Sequence, residues 1–505
     1  MSFEVRERDL AGRIGVLYTR RGEVETPHLM PVVNPVKNTI PPRELKERFG
    51  FNMIITNSYL VLKHYGKERP DVHELTGFDG PIMTDSGAYQ LLIYGGVDTN
   101  PEEIVKFQEA IRSDVGVILD VPTGGYAARE EAEFTVEETI KRAEQSIKYR
   151  SDPTMLWAGP IQGGRYLDLV ERSARRMGRL DFHMHPLGSP TQIMEEYDYP
   201  TLVDMVVSAK RNLPPERPLH LFGAGHPMML ALAVALGCDL FDSAAYALFA
   251  KDGRYMTATR TIRLEDLTEL PCSCPVCTGH DLDGLLELPK MEREGLLARH
   301  NLYVTVEEVR VIKQAIREGS LWELLETRCR SHPKLYEGFK RLSFYSDYLE
   351  TNDPVLGKKV RGLFLYDNVS TFRPEVVRHR QRISERYRRP RKKDVLVLLP
   401  TPDEKPFNRS RGFREVREHL GGREDIHVCF YGGPFGVIPS ELAETFPLSQ
   451  YESSNGLGES WREDLLSFIK KNKYKKAIIL SQEGAVKIRG AKAVRSLDEV
   501  LAEVE

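Results

Sequence analysis

The chain has 505 residues and a formal net charge of -3 at pH 7. It is therefore long enough for two or three domains, and it is not a globally basic nucleic-acid-binding protein. Its first residues carry charges where a secretory signal needs an apolar segment, and the longest apolar stretch, 228–241, is interrupted by Gly237, Cys238 and Asp239. We expect a cytoplasmic protein that does not enter the membrane.

Short apolar runs rich in Val, Ile and Leu alternate with longer amphipathic stretches in the amino-terminal half of the chain. The runs are 29–33, 52–56, 82–84, 115–119, 155–161, 182–187, 218–222 and 238–241. Short strands separated by helical lengths are typical of a parallel (β/α)8 barrel. We therefore predict an α/β fold with a TIM barrel over residues 1–264.

Polar segments that contain glycine directly follow most of these runs. They are 85–90, 120–124, 162–164, 188–190 and 223–226, and Asp242 follows the last run. Barrels of this type place their chemistry at the carboxyl ends of the strands. The sequence therefore predicts one active site built from these segments.

Three aspartates at predicted strand ends are candidate functional groups. Two carboxylates facing one pocket, Asp85 and Asp242, can divide a glycosidic displacement between a nucleophile and an acid–base group. Asp120 ends a buried strand, where a carboxylate can accept hydrogen bonds from the amidine-like edge of a purine. The alternative is that each aspartate only caps the following helix or turn. Their joint occurrence favours catalysis.

A cluster of three cysteines, Cys272, Cys274 and Cys277, has the spacing of a metal site. One structural zinc in tetrahedral coordination is the expected occupant, and a chance grouping in one loop is the alternative. Either His280 or His300 can supply the fourth ligand, and spacing alone does not decide between them. The other cysteines are scattered, so we expect a reducing compartment and not a disulfide framework.

These segments together resemble the tRNA-guanine transglycosylases, specifically the archaeal branch that makes the precursor of archaeosine. The similarity is carried by the cysteine cluster and by TDSGAYQ at 84–90, IQGGR at 161–165, LFGAG at 221–225 and LFDS at 240–243. The family has a (β/α)8 barrel with an embedded zinc module, and its zinc site uses the distant histidine. The resemblance therefore implies Cys272, Cys274, Cys277 and His300 as zinc ligands.

The resemblance also implies a double displacement. Asp242 would attack the anomeric carbon of guanosine 15 in the D-loop of tRNA, expelling guanine and leaving the RNA covalently attached to the enzyme. Asp85 would act as general acid and base on the departing and incoming bases. A 7-cyano-7-deazaguanine would then displace the aspartate, which is an early step of archaeosine biosynthesis.

Base recognition is implied by further matches to the family. Tyr89 matches the aromatic residue that stacks on the base, Asp120 the carboxylate that reads its amino and ring N–H groups, and Gln162 the amide that reads its carbonyl. The remaining predicted substrate-binding residues are Ser86, Gly188 and Ser189. The segment 187–191 departs from the family pattern of paired glycines, because Pro190 has no N–H to donate. If Ser189 holds the amide that matters, recognition survives; if position 190 is a required donor, the preferred base differs.

The rest of the chain is predicted to contain three parts. Residues 265–330 form a zinc-binding module with helical stretches 282–300 and 306–318, and 331–393 form a helical connector with a basic stripe. The stripe consists of Arg378, Arg380, Arg382, Arg386, Arg388, Arg389, Arg391, Lys392 and Lys393. Contact with tRNA phosphates is favoured over a solvated helix face, because the reaction needs a bound polyanion.

Residues 394–505 are predicted to form a small α/β domain with strands 395–399, 427–431 and 477–480. The segment 436–442 resembles a carboxy-terminal region of the family that recurs in the archaeosine synthases. The turn 399–407 lacks the cysteine of the synthases, so we expect a tRNA-binding scaffold and not a second active site. Relatives generally continue into an RNA-binding PUA domain. We therefore expect a separate PUA-bearing polypeptide, unless the other basic surfaces suffice.

The resemblance also implies a homodimer and an opened D-arm of the tRNA. Two other functions are possible alternatives. One is a non-catalytic tRNA-binding subunit of a transglycosylase complex, which would not need both Asp85 and Asp242. The other is a zinc hydrolase on the same barrel, which would need an open metal site among barrel-end histidines. The available histidines are His183, His185, His220 and His226.

Overall fold

A computed structural model describes residues 2–88, 99–188, 190–355, 358–420, 422–454, 457, 459–481 and 488–504. The chain divides into two compact units. The first is Met1–Leu342 with Pro354–Lys358, and the second is Ser343–Asp353 with Lys359–Glu505. The four-part division predicted from the sequence stays a prediction.

The first unit begins with an antiparallel sheet that the sequence analysis did not predict. Its strands are β1 (Phe3–Asp9), β2 (Gly12–Thr19) and β3 (Gly22–Thr26), paired in that order. Phe3, Leu17 and Val24 are buried in one apolar cluster with Met83 and Leu240 from later strands. The sheet therefore packs against the later strands through one shared apolar cluster.

Eight parallel strands follow, and each overlaps one of the predicted apolar runs. They are β4 (His28–Pro31), β5 (Ile54–Asn57), β6 (Ile82–Asp85), β7 (Val115–Val117), β8 (Leu156–Ala158), β9 (His185–Leu187), β10 (Leu219–Leu221) and β11 (Leu240–Ser243). Ladders join them into two parallel sheets, β5-β6-β7-β8 and β4-β11-β10-β9. Parallel bridges between Val32 and Ile55 and between Ala158 and Met184 connect the two sheets at both edges.

Helices alternate with these strands, which confirms the predicted α/β class. The helices are α1 (Pro42–Glu47), α2 (Ser58–Tyr65), α3 (Val72–Thr76), α4 (Pro101–Ala110), α5 (Arg129–Tyr149), α6 (Leu167–Gly178), α7 (Pro190–Glu195), α8 (Tyr199–Asn212), α9 (Pro227–Ala235) and α10 (Ala245–Lys251). Helix α9 is buried along its whole length because it is apolar on all sides. Within the described residues, no helix is long and apolar enough to cross a membrane.

The first unit continues through a small hairpin into a helical region. The hairpin strands are β12 (Arg254–Met256) and β13 (Thr261–Arg263), and the helices are α11 (Pro275–Gly279), α12 (Leu282–Glu287), α13 (Lys290–Glu318), α14 (Leu321–Cys329) and α15 (Pro333–Arg341). Helix α13 is continuous, so the predicted division into stretches 282–300 and 306–318 is wrong. The buried amide of Asn301 donates to the carbonyls of Tyr246 and Arg254 at 3.3 and 3.2 Å and accepts from the N–H of Met256 at 3.0 Å. This polar residue therefore joins the helix to its neighbours and does not end it.

Buried ion pairs stabilise the amino-terminal ends of the parallel strands. Directly before β11, Asp239 accepts from Arg13 Nε at 2.6 Å and Nη2 at 2.8 Å, and both residues are buried. Directly before β7, the buried Asp114 accepts from Arg20 Nε at 3.0 Å and from the N–H of Ile82 at 2.8 Å. Buried charges are tolerated when they are paired and hydrogen-bonded in this way. These pairs place structural charge at the end of the strands opposite to Asp85 and Asp242.

The second unit is a smaller α/β domain with its own apolar core. Its strands are β14 (Leu363–Leu365), β15 (Val395–Pro400), β16 (Ile426–Gly432), β17 (Gly436–Pro439), β18 (Tyr451–Ser453), β19 (Lys476–Leu480) and β20 (Lys492–Val494), and its helices are α16 (Ser346–Asn352), α17 (Pro374–Glu385), α18 (Arg411–His419), α19 (Trp461–Asn472) and α20 (Leu497–Val504). The sheet order is β17-β16-β15-β19-β20, in which only β17 is antiparallel to its neighbour. The three strands predicted in this region are all present.

Candidate active site

The predicted carboxylates lie at or beyond the carboxyl ends of parallel strands. Asp85 is the last residue of β6, Asp242 lies in β11, and Asp120 follows β7. The charges of Asp242 and Asp85 are close enough to interact, and so are those of Asp85 and Asp120. The structure therefore brings the three predicted aspartates into one site.

One oxygen of Asp242 is held by two neighbours. Oδ1 accepts a hydrogen bond from the backbone N–H of Gly223 at 3.0 Å and lies 2.8 Å from His220 Nε2. Gly223 has φ = 68°, a conformation that favours glycine, so its N–H points at the carboxylate without strain. Asp242 retains 14% side-chain exposure. It is therefore both oriented and accessible.

Asp85 is half-buried beside this carboxylate. Asn57, its register partner in β5, donates from Nδ2 to Asp85 Oδ2 at 3.3 Å. Burial raises the pKa of Asp85 to about 6, and the negative charge of Asp242 acts in the same direction. The N–H groups of Gly87 and Ser86 act against this rise. A carboxyl group with such a pKa can both donate and accept a proton near neutral pH.

Asp120 and Gln162 form a buried carboxylate–amide pair. Gln162 Nε2 donates to Asp120 Oδ2 at 2.6 Å, and Gln162 Oε1 accepts from the N–H of Thr123 at 2.9 Å. Burial raises the pKa of Asp120 to about 7, with a further contribution from the charge of Asp85. Gly188 packs against the amide so closely that an added Cβ would lie 2.3 Å from Gln162 Nε2. Any side chain at position 188 would therefore displace the amide of Gln162.

The structure describes some of the other predicted substrate-binding residues and not others. Ser86 is fully buried next to Asp85, and its Oγ has no hydrogen-bond partner among the described residues. Tyr89 and Ser189 lie outside the described residues. Pro190 is the first residue of α7, a position where a helix does not need an N–H donor. Its effect on the preferred base stays a prediction.

Four residues form a group that could hold one metal ion. The ligand atoms of Cys272, Cys274, Cys277 and His300 all lie within 4.8 Å of one another. Cys274 Sγ and Cys277 Sγ are 3.7 Å apart, and His300 Nδ1 lies 3.5 and 3.4 Å from them. Ligands bound at about 2.3 Å in a tetrahedron are roughly 3.8 Å apart, so the spacing fits a closed four-coordinate site.

Neighbouring groups orient the histidine of this cluster. His300 Nε2 donates to the carbonyl of Met256 at 2.8 Å, which leaves Nδ1 to face the sulfur atoms. The ring of Tyr255 stacks on His300 with centroids 3.7 Å apart, and its hydroxyl lies 3.2 Å from Cys277 Sγ. His280 is exposed at the end of α11 and is not part of the cluster. The choice that spacing left open is therefore resolved in favour of His300.

The alternative of a histidine-based metal site is not supported. His183 accepts from the N–H of Trp157 at 3.0 Å, His185 Nδ1 lies 3.0 Å from the carbonyl of Gly159, and His226 caps α9. In the part of the chain that the structure describes, the cysteine–histidine cluster is the only group suited to a metal.

Two residues that hold the carboxylates, Asn57 and His220, were not assigned to the site from the sequence, whereas Gly223 lies in the predicted segment 223–226. Asn57 directly follows a predicted strand, as the predicted site residues do, and this signal could have identified it. His220 was considered only as a metal ligand. Its contact with Asp242 depends on the register of β10 and β11, which pairs His220 with Leu240.

The basic stripe in the second unit divides into buried and exposed residues. Arg378 is buried and donates from Nε to Glu350 Oε1 at 2.7 Å and from Nη2 to Asp353 Oδ2 at 3.2 Å. Arg380 donates to the carbonyl of Pro434 at 2.9 Å. The exposed arginines of the stripe are Arg382, Arg386, Arg388 and Arg391. Only part of the stripe is therefore available to a partner.

Comparison with known proteins places the chain in a family. The profile of the family described as Queuine tRNA-ribosyltransferase matches residues 9–334, and this chain belongs to that family. Residues 376–501 match a further family, described as Domain of unknown function (DUF5591).

Several archaeal proteins named tRNA-guanine(15) transglycosylase are similar to this chain over most of its length. The one from Pyrobaculum aerophilum is 43% identical over 504 residues, which cover 99% of both chains. The one from Sulfolobus acidocaldarius is 40% identical, with coverage of 99% of this chain and 97% of that protein. The one from Methanocaldococcus jannaschii is 46% identical over 90% of this chain and 68% of its own length.

Proposed function

We propose that this chain is a tRNA-guanine(15) transglycosylase that replaces guanine 15 in the D-loop of tRNA with 7-cyano-7-deazaguanine. The observation that carries the proposal is the arrangement of Asp242, oriented and accessible, beside Asp85, whose pKa is raised to about 6. The relatives of nearly equal length that bear this name support the choice of reaction. We also infer a (β/α)8 barrel, because the pairing order of β4 to β11 returns to its first strand.

In the proposed mechanism, Asp242 attacks the anomeric carbon of guanosine 15 and Asp85 protonates the departing guanine. The elevated pKa of Asp85 makes the protonated form available for this step. The incoming base then loses a proton to Asp85 and displaces Asp242 from the ribose. Because the sugar–phosphate backbone is never cut, the reaction needs no nucleoside triphosphate.

Asp120 and Gln162 are the proposed recognition pair for the base. Ionised Asp120 can accept hydrogen bonds from the amino and ring N–H groups of a guanine-like base. One N–H of Gln162 is used by Asp120, and the second can donate to the carbonyl of the base. The hydroxyl of Ser86, which has no hydrogen-bond partner among the residues that the structure describes, offers a further polar group in the same site. Tyr89, Gly188 and Ser189 complete the proposed set.

The proposed metal is one structural zinc, held by Cys272, Cys274, Cys277 and His300. Three sulfur ligands and one nitrogen ligand suit zinc, and four protein ligands leave no open position for catalysis. When bound, zinc would fix the hairpin and α11 to helix α13.

The exposed part of the basic stripe is a proposed tRNA contact. Arg386, Arg388 and Arg391 are exposed, and the N–H of Arg389 donates to Asn472 Oδ1 at 2.9 Å, which places this segment beside the end of α19. Lys470 and Lys473 are exposed there. Several exposed cations on adjacent segments suit the phosphates of RNA. A homodimer and a separate PUA-bearing partner stay predictions from the resemblance.

The test is incorporation of radiolabelled guanine, and then of 7-cyano-7-deazaguanine, into unmodified archaeal tRNA. We expect incorporation by the wild-type chain and none by Asp242→Asn. Replacing Arg386, Arg388 or Arg391 singly by glutamate is expected to raise KM for tRNA, whereas Arg411→Glu in the same unit, which changes the net charge by the same amount, serves as the control. Absence of incorporation by the wild type, with or without a PUA-bearing protein, would favour a non-catalytic subunit.

A further inference from the structure

His220 occupies a position from which it can determine the orientation of Asp242. The residue lies inside β10 and is fully buried, and its Nε2 is 2.8 Å from Asp242 Oδ1. Phe222 packs against the imidazole in an edge-on arrangement with centroids 4.7 Å apart, which fixes the plane of the ring. The N–H of Gly223 binds the same oxygen. Among the described residues, no hydrogen bond to Asp242 Oδ2 is found.

The surroundings of the two ring nitrogens indicate the protonation state of His220. Nε2 faces a carboxylate oxygen at hydrogen-bond distance and must therefore donate. Nδ1 is buried and has no hydrogen-bond partner in the described part of the chain. A buried, charged N–H without an acceptor costs far more than an unpaired lone pair on a neutral ring. The geometry thus favours a neutral imidazole with its proton on Nε2.

We propose that neutral His220 is a positioning residue for Asp242 and that Asp242 Oδ2 is the oxygen that bonds to the ribose. This inference rests on the proposed function. A neutral donor orients the carboxylate through a dipole and leaves the full negative charge that attack requires, whereas a cationic partner would neutralise it.

In this reaction His220 neither gains nor loses a proton. Oδ2 forms a bond to C1′ while the bond from C1′ to N9 of guanine breaks, and the electron pair of that bond remains on guanine. Asp85 supplies the proton that the leaving base takes up. In the second step the incoming base transfers its ring proton to Asp85 and bonds to C1′, and the electron pair of the C1′–O bond returns to Oδ2.

Two variants separate the hydrogen bond from the packing of the ring. His220→Phe keeps an aromatic ring without a donor, and His220→Gln keeps an N–H donor. We expect the single-turnover rate of covalent adduct formation with tRNA to fall about 10- to 100-fold in H220F, the size of a lost charge-assisted hydrogen bond, and less than about threefold in H220Q. KM for tRNA is expected to be unchanged in both, because His220 is fully buried and offers no surface to the RNA.

A measurement on the wild-type protein tests the protonation state directly. Nitrogen-15 NMR of histidine-labelled protein at neutral pH is expected to show one protonated and one unprotonated ring nitrogen for His220, with the signals assigned by their loss in H220Q. Two protonated nitrogens overturn the proposal.

The rates of adduct formation in the two variants can also overturn the proposal. Adduct formation at the wild-type rate in H220F, or equal losses in both variants together with lower melting temperatures, overturns the positioning role. If H220F does not fold, the rate of H220Q and the NMR measurement decide. Failure of the wild type to form an adduct overturns the proposed function instead, and the NMR experiment then still tests the protonation state of His220.

Discussion

Replacing Gly188 by alanine should disable base recognition without unfolding the protein. The added Cβ would lie 2.3 Å from Gln162 Nε2 and 2.7 Å from Gln162 Cδ, far inside ordinary contact distance. The contacted atoms are the end of a flexible side chain, so the amide can move away while the backbone keeps its conformation. In moving, it must give up its hydrogen bonds to Asp120 and Thr123.

The loss can be estimated from the bond between Gln162 and Asp120. If misplacement of the amide costs the bound base an interaction of this size, about 1.5–3 kcal/mol for a hydrogen bond to a charged group, kcat/KM falls roughly 10- to 150-fold. Gly124→Ala is the matched control, because its Cβ would meet nothing closer than 3.8 Å. The assay is labelled-guanine exchange into tRNA, with the melting temperature measured in parallel. Exchange by G188A within about threefold of the wild type, at the same melting temperature, would refute this account of the amide.

Three further predictions concern stability. Burial raises the pKa of Asp120 to about 7, whereas an aspartate in the unfolded chain releases its proton near pH 4, so the stability of the folded state falls as the pH rises from about 4 to about 7. Asp120→Asn should abolish this dependence on pH. The substitution should therefore raise the melting temperature at pH 8 more than at pH 4. Removal of metal by a strong chelator should lower the melting temperature, and re-addition of zinc should restore it, whereas Cys272→Ser protein should respond to neither. Arg13→Met leaves Asp239 buried without its main partner and should cost about 3–5 kcal/mol in urea unfolding; a cost below about 1 kcal/mol would contradict the buried ion pair.

The sequence predicted the elements whose signals are local. Each parallel strand is a short apolar run, and Asp85 lies directly after such a run, so its strand-end position followed from the pattern. The antiparallel strand β1 also has a local signal, because Phe3 and Val5 alternate with charged residues, although it was not among the predicted strands. Local signals therefore identified most of the fold.

The contacts that the analysis missed depend on residues far apart in the chain. The orientation of Asp242 by His220 needs the pairing of β10 with β11. Arg378 looks like a surface cation in the sequence, and only the fold shows that Glu350 and Asp353 bury it. The sequence gives the charge of each residue but not the partner that the fold brings to it.

Two adjacent residues of α13 connect the metal cluster to the strand that carries Asp242. His300 belongs to the cluster, and Asn301 holds the carbonyl of Tyr246 in α10, the helix that begins two residues after β11 ends. The hydroxyl of Tyr246 in turn donates to the carbonyl of Val32, beside the partner strand β4, at 3.2 Å. If the cluster holds the proposed metal, a preparation that has lost part of it would be a mixture of molecules in which these contacts are intact or weakened, and rate constants measured on that preparation would be averages over the mixture.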